Sequence, residues 1–281
     1  QPLGDDVLDA VQARVFRVAV EQRALGEILV DLMAVMVRFH LPCRVPIVEM
    51  KTVEVGVDRV LLARKAIDIG RQNNVSSLHV LFPDENDQRA LEEAGFLFRD
   101  NVQFHWFNRP YASMDDFLAS LNQQKRKKIK QDRKKVREAG VHFRWLRGDA
   151  IDDATLHFFY RCYHKTYLEH GNAPYLNLAF FVQLRQSMAD HMVIVLAEQD
   201  AQPIAAALNI RGDRRLYGRY WGSIRYVSGL HFEACYMQAI EYCIAEGLDV
   251  FEGGAQGEHK LSRGMLPVRT CSAHWIADSQ Y

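Results

Sequence analysis

The sequence lacks the features that mark several common classes of protein. It has no run of the roughly 18 apolar residues that a membrane helix needs, since its most apolar segment, residues 28–37, is short and carries Asp31. No basic region followed by a small-residue cleavage site opens the chain, so we expect no secretory signal. GxSxG, P-loop and GxGxxG motifs are also missing. Covalent serine catalysis and the usual nucleotide-binding motifs are therefore not indicated.

Cysteine is scarce and scattered. The five cysteines form no CxxC pair, which argues against a disulfide framework and favours a reducing, cytoplasmic location. His231 and Cys235 stand four residues apart on a predicted helix, as two zinc ligands could. No third or fourth ligand follows at the customary spacing. We therefore expect buried thiols and no metal.

Charge is balanced overall but unevenly distributed. The 281 residues are 48% hydrophobic and 25% charged with a net charge of zero, which is typical of a globular protein with one large or two ordinary domains. Residues 122–147 hold eleven Lys/Arg against two acidic residues, a local balance of +9, so the remainder carries −9. Such a segment indicates an anionic partner or a strongly polarised surface.

Hydrophobic periodicity and turn residues predict an α+β chain with a boundary in NRPYASMDD, which gives domains 1–110 and 111–281. The first part is predicted to contain helices at 5–40, 61–74 and 84–94 and strands at 76–82 and 96–107. The second begins with one basic helix that ends at Gly140. The strand VHFRWL and a helix over 152–171 follow. An antiparallel meander of three strands, a helix over 230–247 and two further strands complete this part.

The two parts of the chain resemble each other in sequence, as two copies of an internal repeat would. A shift of 169 residues superimposes Phe82 on Phe251, Gly95 on Gly264, and His105-Trp106 on His274-Trp275 without a gap. Both copies have the order helix, strand, short helix, glycine, strand. The sequence therefore predicts two tandem copies of one unit with mixed, mainly antiparallel sheets, the first copy being incomplete at its N-terminal side.

The basic helix is the first candidate for function. Between Lys125 and Arg137 nine of thirteen residues are cationic, and Asp132 is the only acidic residue among them. Such a helix is costly unless anions neutralise it. A polyanion such as RNA or coenzyme A is one interpretation, and a solvated or internally paired helix is the other. The candidate anion- or RNA-binding residues are Lys127, Lys130, Arg133 and Lys134.

Two further stretches carry candidate substrate-binding residues. RLYGRYWGS (215–223) is predicted to place Tyr217, Arg219 and Trp221 on one face of a strand, with glycines that admit close approach to the backbone. Aromatic core packing is the alternative. The next helix carries His231 and Glu233 in its first turn. A favourable interaction with the helix dipole would explain the position of Glu233 equally well.

FEGGAQGEHKLSRG (251–264) concentrates reactive side chains and glycines directly after an apolar strand. The backbone of Gly253 and Gly254 and the amide of Gln256 suit an anion or a developing oxyanion. Glu252 is expected to be partly desolvated and to serve as a base. A tolerant surface loop is the alternative to a loop that holds a substrate.

The motifs SSLHVLFP, QFHW, KRKKIKQDRKKV, LYGRYWG, LHFEACYMQAIE and FEGGAQGEHKLSRG resemble those of the bacterial FemAB-like family of peptidoglycan biosynthesis or recognition proteins, over about residues 75–278. The order of elements is similar to the GNAT acyltransferase fold. The resemblance implies a tandem GNAT architecture and a transferase that moves an acyl or aminoacyl group to an amine, with a peptidoglycan precursor as a candidate acceptor.

The resemblance leaves the donor open. GNAT enzymes that use acyl-CoA usually carry a Q/R-x-x-G-x-G/A loop, whereas SIRYVSGLHFE has Arg225 and Gly229 at the wrong spacing. Aminoacyl-tRNA, which Fem-type enzymes use and which would suit the basic helix, is therefore slightly favoured over acyl-CoA as co-substrate, with no tightly bound cofactor. A non-catalytic module that binds RNA or a peptidoglycan precursor is the alternative function.

In the predicted reaction the acceptor amine attacks the donor carbonyl directly. Glu252 or Glu258, together with His259, takes the amine proton. The amides of Gly253 and Gly254, or Tyr217, stabilise the oxyanion. Three cationic residues hold anionic parts of the donor or acceptor, namely Lys260, Arg263 and Arg219.

Overall fold

The computed structural model describes residues 58–255 and 257–277. The helix predicted over 5–40 and the site residue Gln256 lie outside them. The described residues form two compact units, one of residues 103–268 and the other of residues 58–102 together with 269–277. The division into domains 1–110 and 111–281 stays a prediction.

The elements follow the predicted order closely. The helices are α1 (Arg59–Gln72), α2 (Glu85–Glu93), α3 (Met114–Ser120), α4 (Gln123–Glu138), α5 (Asp153–Glu169), α6 (Leu178–Met188) and α7, which consists of Leu230–Phe232, the π-helical segment Glu233–Met237 and Gln238–Ala245. The strands are β1 (Ser77–Leu81), β2 (Leu97–Phe107), β3 (Val141–Arg147), β4 (Met192–Gln199), β5 (Gln202–Arg211), β6 (Arg215–Ser223), β7 (Val250–Glu252) and β8 (Leu266–Ile276). A 3-10 helix covers Glu258–Arg263.

In the larger unit the strand order is β2-β7-β6-β5-β4-β3. Strands β4, β5 and β6 pair antiparallel, which confirms the predicted meander of three strands, and β3 pairs antiparallel with β4 at its edge. Strand β7 pairs parallel with β6 and antiparallel with β2. Because β6 and β7 are parallel, α7 makes the crossover between them. Leu216 of β6, Phe251 of β7 and Trp106 of β2 are buried in one cluster with residues of α7, so this helix covers that face of the sheet.

In the smaller unit β1 pairs antiparallel with β8 over five residue pairs. Helices α1 and α2 contribute Ala63, Ile67 and Leu91 to a core with Ala273 and Trp275 of β8. The larger unit combines parallel and antiparallel strand pairs with helices, and the smaller unit combines an antiparallel pair with helices, which confirms the mixed α+β class. The tandem arrangement and the incomplete first copy stay predictions.

One predicted helix is divided in two. The sequence predicted a single basic helix ending at Gly140, but α3 ends at Ser120 and α4 begins at Gln123. Leu121 is extended, with φ −82° and ψ 153°. The side chain of Asn122 then accepts a hydrogen bond from the backbone N–H of Lys125 and caps α4. Asparagine favours this N-cap role over the helix interior, which explains the break.

Helix α5 approaches β6 so closely at Gly222 that no side chain fits there. A Cβ on Gly222 would lie 2.1 Å from the carbonyl oxygen of Cys162. Gly222→Ala is therefore expected to destabilise the protein by about 3 kcal/mol, because the helix must move away from the sheet. The measurement is the urea unfolding midpoint of both proteins.

Gly70→Ala is the matched control for this substitution. Gly70 lies within α1, where an added Cβ would meet the side chains of Leu78 and Trp275 at 3.4 Å. Alanine is the better helix former by about 1 kcal/mol, so we expect equal or greater stability. Equal losses in both variants would contradict the close approach of α5 to β6.

Candidate active site

Strands β6 and β7 pair over only three positions before β7 ends. The register joins Arg215 to Val250, Leu216 to Phe251 and Tyr217 to Glu252, whereas β6 continues to Ser223. The pairing of β6 with β5 shifts by one residue so that Arg219 has no partner on β5. A β-bulge of this kind re-aims side chains and is common beside active sites.

The bulge changes which face of β6 carries each side chain. Tyr217 faces away from α7, because its neighbour Leu216 is buried in the cluster with α7. The guanidinium of Arg219 lies 5.8 Å from the Tyr217 ring centroid. Trp221 instead packs on His231 of α7, with 5.3 Å between ring centroids. The prediction that Tyr217, Arg219 and Trp221 share one face is therefore wrong for Trp221, since the extra residue reverses the alternation.

A polar row crosses the sheet at Glu252, on the face away from α7. Glu252 pairs with Tyr217 on β6 and His105 on β2. Its Oε1 accepts a hydrogen bond of 2.8 Å from Arg215, and its Oε2 lies 3.7 Å from Nε2 of His105. The carboxylate therefore has two basic neighbours. Neither was predicted as a site residue, although His105 lies in the QFHW motif, because their proximity depends on strand register.

The ionisation of this row follows from burial. Burial lowers the pKa of His105, and the negative charge of Glu252 only partly opposes that effect. Burial, assisted by Glu252, also raises the pKa of Tyr217 to about 12. At neutral pH His105 is a neutral imidazole and Tyr217 keeps its O–H. The row can therefore accept a proton and donate a hydrogen bond.

The 3-10 helix places two cations in the protein interior, where Lys260 is 4% and Arg263 is 7% exposed. No carboxylate of the described residues lies within 4 Å of either cation. Lys260 Nζ donates to the carbonyl of Gly254 at 3.2 Å, and Arg263 donates to the carbonyl of His259 at 2.7 Å. The guanidinium of Arg263 also lies 3.6 Å from the ring centroid of Phe232. Carbonyl oxygens and aromatic rings therefore stabilise these charges in place of carboxylates.

The histidines around these cations are neutral. Burial, followed by the charges of His259, Arg263 and Lys260, lowers the pKa of His231 to about 4. Burial and the same two cations lower the pKa of His259. Both rings pack against Tyr236. The positive charge of this region therefore resides on Lys260 and Arg263, which we call the buried cation pair.

Gly253 and Gly254 differ in whether their backbone N–H groups are already hydrogen-bonded within the described part of the protein. The N–H of Gly253 donates to the carbonyl of Phe104 at 2.9 Å, so that amide is not available to an oxyanion. A Cβ on Gly253 would lie 2.4 Å from the terminal methyl of Met265, a flexible side chain that would have to move. Gly254 has φ +81°, and its carbonyl accepts from Phe104 and Lys260. Of the two predicted oxyanion amides, that of Gly253 is therefore occupied, and the role of the Gly254 amide stays a prediction.

The structure does not bring every predicted catalytic group together. Glu252 follows Phe251 on β7 and points to the opposite face of the sheet from α7, whereas His259 packs on Phe232 and Tyr236 of α7. Glu258 is exposed at the start of the 3-10 helix. The predicted site residues therefore form two groups, one on each face of the sheet.

Arg133 is not part of the exposed basic surface. Its guanidinium donates to Glu233 at 3.1 Å and to Glu241 at 2.6 Å, both on α7. Glu233 is 5% exposed, and its Oε2 has no hydrogen-bond partner among the described residues. Burial raises the pKa of Glu233, an effect that the charge of Arg133 opposes. Both residues thus hold α4 against α7.

The other three predicted lysines of α4 lie together on its exposed side. Lys127, Lys130 and Lys134 line an open depression of about 440 Å³, together with Gln123, Arg126 and Gln131. Lys130 and Lys134 are within 3.5 Å of Asp115 and Glu138 respectively. Such exposed ion pairs are weak, so an arriving polyanion can displace them. We call this surface the α4 basic face.

Arg133→Ala is expected to destabilise the protein by about 3 kcal/mol, because it leaves the buried carboxylate of Glu233 without its cation. Lys134→Ala, on the α4 basic face of the same helix, should change stability by less than about 0.5 kcal/mol. Thermal unfolding of the two variants measures the difference. Equal stability of both would show that Arg133 has no structural role.

Among residues 58–255 and 257–277, no group of three or more His, Cys, Asp or Glu side chains is arranged to hold a metal ion. Burial raises the pKa of Cys235, one of the two residues that suggested zinc. None of the helices in this part of the chain combines the length and the hydrophobicity required to span a bilayer.

Comparison with solved structures shows which proteins share this fold. The chain is 11% identical to FemX over 80% of this chain and 79% of that one, with a TM-score of 0.57. It is 10% identical to L-PGS from Bacillus licheniformis over 79% of this chain and 74% of that one, with a TM-score of 0.58. At these identities the likeness shows a shared fold. No curated protein matches the sequence.

The family model described as peptidoglycan biosynthesis/recognition matches residues 44–281. The fold and the family together define an acyltransferase. The chain belongs to the FemAB-like family, as its motifs predicted.

Proposed function

We propose that this acyltransferase moves an aminoacyl or acyl group from a phosphate-bearing donor to an amine acceptor. The observation that carries the proposal is the buried cation pair, Lys260 and Arg263. Carbonyl oxygens and aromatic rings compensate these two charges only in part, and the charge of Asp132 acts on Arg263 without a contact within 4 Å, so the pair lacks the full compensation that a close counter-ion provides. A phosphate or carboxylate on the donor or acceptor would supply that compensation.

The α4 basic face supports aminoacyl-tRNA over acyl-CoA as the donor. Its three lysines follow one another at helical spacing along an exposed surface, which suits successive phosphates of a nucleic acid backbone. The family description and the charge of this face also fit a peptidoglycan precursor with a free amine as the acceptor.

The polar row lies on the opposite face of the sheet from the buried cation pair, and it supplies a base and a hydrogen-bond donor at the point where β7 ends beside β6. The acceptor amine attacks the donor carbonyl and forms a tetrahedral intermediate. Glu252, adjacent to neutral His105, takes the amine proton and returns it to the departing oxygen or sulfur, so that a hydroxyl or thiol is released when the C–O or C–S bond breaks. The Tyr217 O–H or the Gly254 amide stabilises the oxyanion. Glu258 with His259 is the alternative base on the other face of the sheet, and Arg219, beside Tyr217, would hold an anionic group of either substrate.

Binding of labelled total tRNA, acetyl-CoA and a long-chain acyl-CoA across a salt series tests the donor. We expect tRNA binding to weaken with salt, and a variant with Lys127, Lys130 and Lys134 replaced by alanine should lose about two units of the log–log salt slope. The matched control removes three exposed cations elsewhere, namely Lys65, Arg89 and Arg99.

Each outcome of this experiment decides between donors. Saturable CoA binding without tRNA binding would make the protein an acyl-CoA enzyme. Equal salt slopes in the two triple variants would show that the α4 basic face does not contact the donor. Salt-sensitive tRNA binding without transfer to a peptide that carries a free amine would favour the non-catalytic RNA-binding module.

A further inference from the structure

Two histidines face each other across the β1–β8 ladder of the smaller unit. His79 and His274 are directly paired, at the central position of the five residue pairs. Their ring centroids are 4.9 Å apart, and the two Nδ1 atoms are 2.6 Å apart. Both side chains are half-buried. The reaction proposed above uses neither residue.

A serine holds the other nitrogen of each ring. Ser77 Oγ lies 2.9 Å from Nε2 of His79, and Ser272 Oγ lies 2.8 Å from Nε2 of His274. The hydroxyl of Ser272 donates its hydrogen to the carbonyl of Arg99. Ser272 must therefore accept from Nε2–H of His274, which leaves Nδ1 of His274 with a lone pair that points at the opposite ring.

The same arrangement is the usual environment of a metal-bound imidazole. A ligating histidine normally donates its second N–H to an oxygen, which fixes the tautomer and the orientation of the ring. In the metal-free pair, Nδ1–H of His79 can donate to Nδ1 of His274. If His79 carries its hydrogen on Nε2 and donates it to Ser77, two lone pairs converge on one point, and a cation placed there satisfies both.

We propose that His79 and His274 form a surface site for a borderline-soft divalent cation such as Zn²⁺ or Cu²⁺. Imidazole nitrogen suits these ions, and two Zn–N bonds of about 2.05 Å at a tetrahedral angle require nitrogens about 3.3 Å apart. The rings would part by roughly 0.7 Å from their present separation, a small rotation of half-buried side chains. Water or another small ligand would complete the coordination.

The site would join β1 to β8 at the middle of their ladder. Strand β1 stands at one end of the strand order of the described residues. A cation that binds both strands in the folded state and neither strand alone stabilises the fold by RT ln(1 + c/Kd), where c is the concentration of free cation and Kd its dissociation constant. The inference is independent of the proposed transfer reaction.

Titration of the metal-free protein with Zn²⁺ alone, followed by calorimetry and thermal unfolding, tests the site. We expect one saturable Zn²⁺ per chain and a rise in Tm, both lost in His79→Ala and His274→Ala. His157→Ala, which removes an exposed histidine of α5, is the matched control and should bind as the wild type does. Cu²⁺ should show two equivalent nitrogen ligands by electron paramagnetic resonance.

Ser272→Ala keeps both imidazoles and tests the site even if a histidine variant fails to fold. Loss of the oxygen that orients His274 should weaken Zn²⁺ binding by about tenfold or more. Three results would overturn the proposal: no saturable binding by the wild-type chain, unchanged stoichiometry in His274→Ala, or unchanged affinity in Ser272→Ala.

Discussion

Glu252→Gln is expected to lower kcat for group transfer by about 10²- to 10⁴-fold, the range that a general base contributes. The amide keeps the size of the side chain but cannot take the proton of the attacking amine. The fold should hold, because Arg215 is half exposed and such an ion pair contributes less than about 1 kcal/mol. Single-turnover transfer from labelled aminoacyl-tRNA, with Tm measured in parallel, checks both parts.

The same β6–β7 region provides a matched control for loss of charge. Asp249 pairs with Arg214 next to β7, and Asp249→Asn removes one carboxylate from an arginine pair outside the polar row. It should leave kcat unchanged. Glu258→Gln tests the alternative base and should reduce kcat only if the reaction uses the α7 face. Full turnover in Glu252→Gln, Glu258→Gln and the double variant would remove both carboxylates from the mechanism.

Lys260→Met is expected to weaken substrate binding without lowering the stability of the protein. Methionine fills the site of a buried cation that has no counter-ion, so the free energy of unfolding at pH 7 should stay the same or rise by roughly 1 kcal/mol. The affinity for the anionic substrate should fall by about 10- to 100-fold, since a hydrogen bond to a charged group contributes about 1.5–3 kcal/mol. Denaturation curves should therefore show equal or greater stability of the variant, whereas substrate binding should show a lower affinity.

The pH dependence of stability shows whether Lys260→Met acts by removing a buried charge or only by changing the packing around residue 260. Burial lowers the pKa of Lys260 in the folded protein, so the unfolded chain binds more protons at that side chain. The free energy of unfolding of the wild type should therefore rise with pH between the folded pKa and about 10.5, the pKa of an unperturbed lysine. That rise should be smaller in Lys260→Met. Identical pH profiles would show that Lys260 is not a strained buried cation.

Local patterns predicted most of the elements and the importance of one loop. The strands of the meander and the end of α4 just before Gly140 depend on neighbouring residues, and these predictions agree with the structure. FEGGAQGEHKLSRG was predicted to hold a substrate because it combined glycine, carboxylate and cation. Its buried cation pair supports that interpretation.

What the sequence could not predict depends on contacts between distant residues. Arg133 has the same local context as its neighbouring lysines, yet its partners lie about 100 residues further along the chain. His105 and Arg215 reach Glu252 only through strand register. The bulge at Arg219 adds one residue to β6 and moves Trp221 to the other face, an irregularity that alternation of residue types does not reveal.

The composition of the smaller unit has a consequence for how the chain folds during synthesis. Strand β1 is complete early, but its partner β8 leaves the ribosome only after the whole of 103–268 has been made. The larger unit has most of its strands close in sequence and can fold first. A truncated chain that ends at residue 268 and is released from the ribosome should therefore resist protease over 103–268 while α1 and β1 are cleaved.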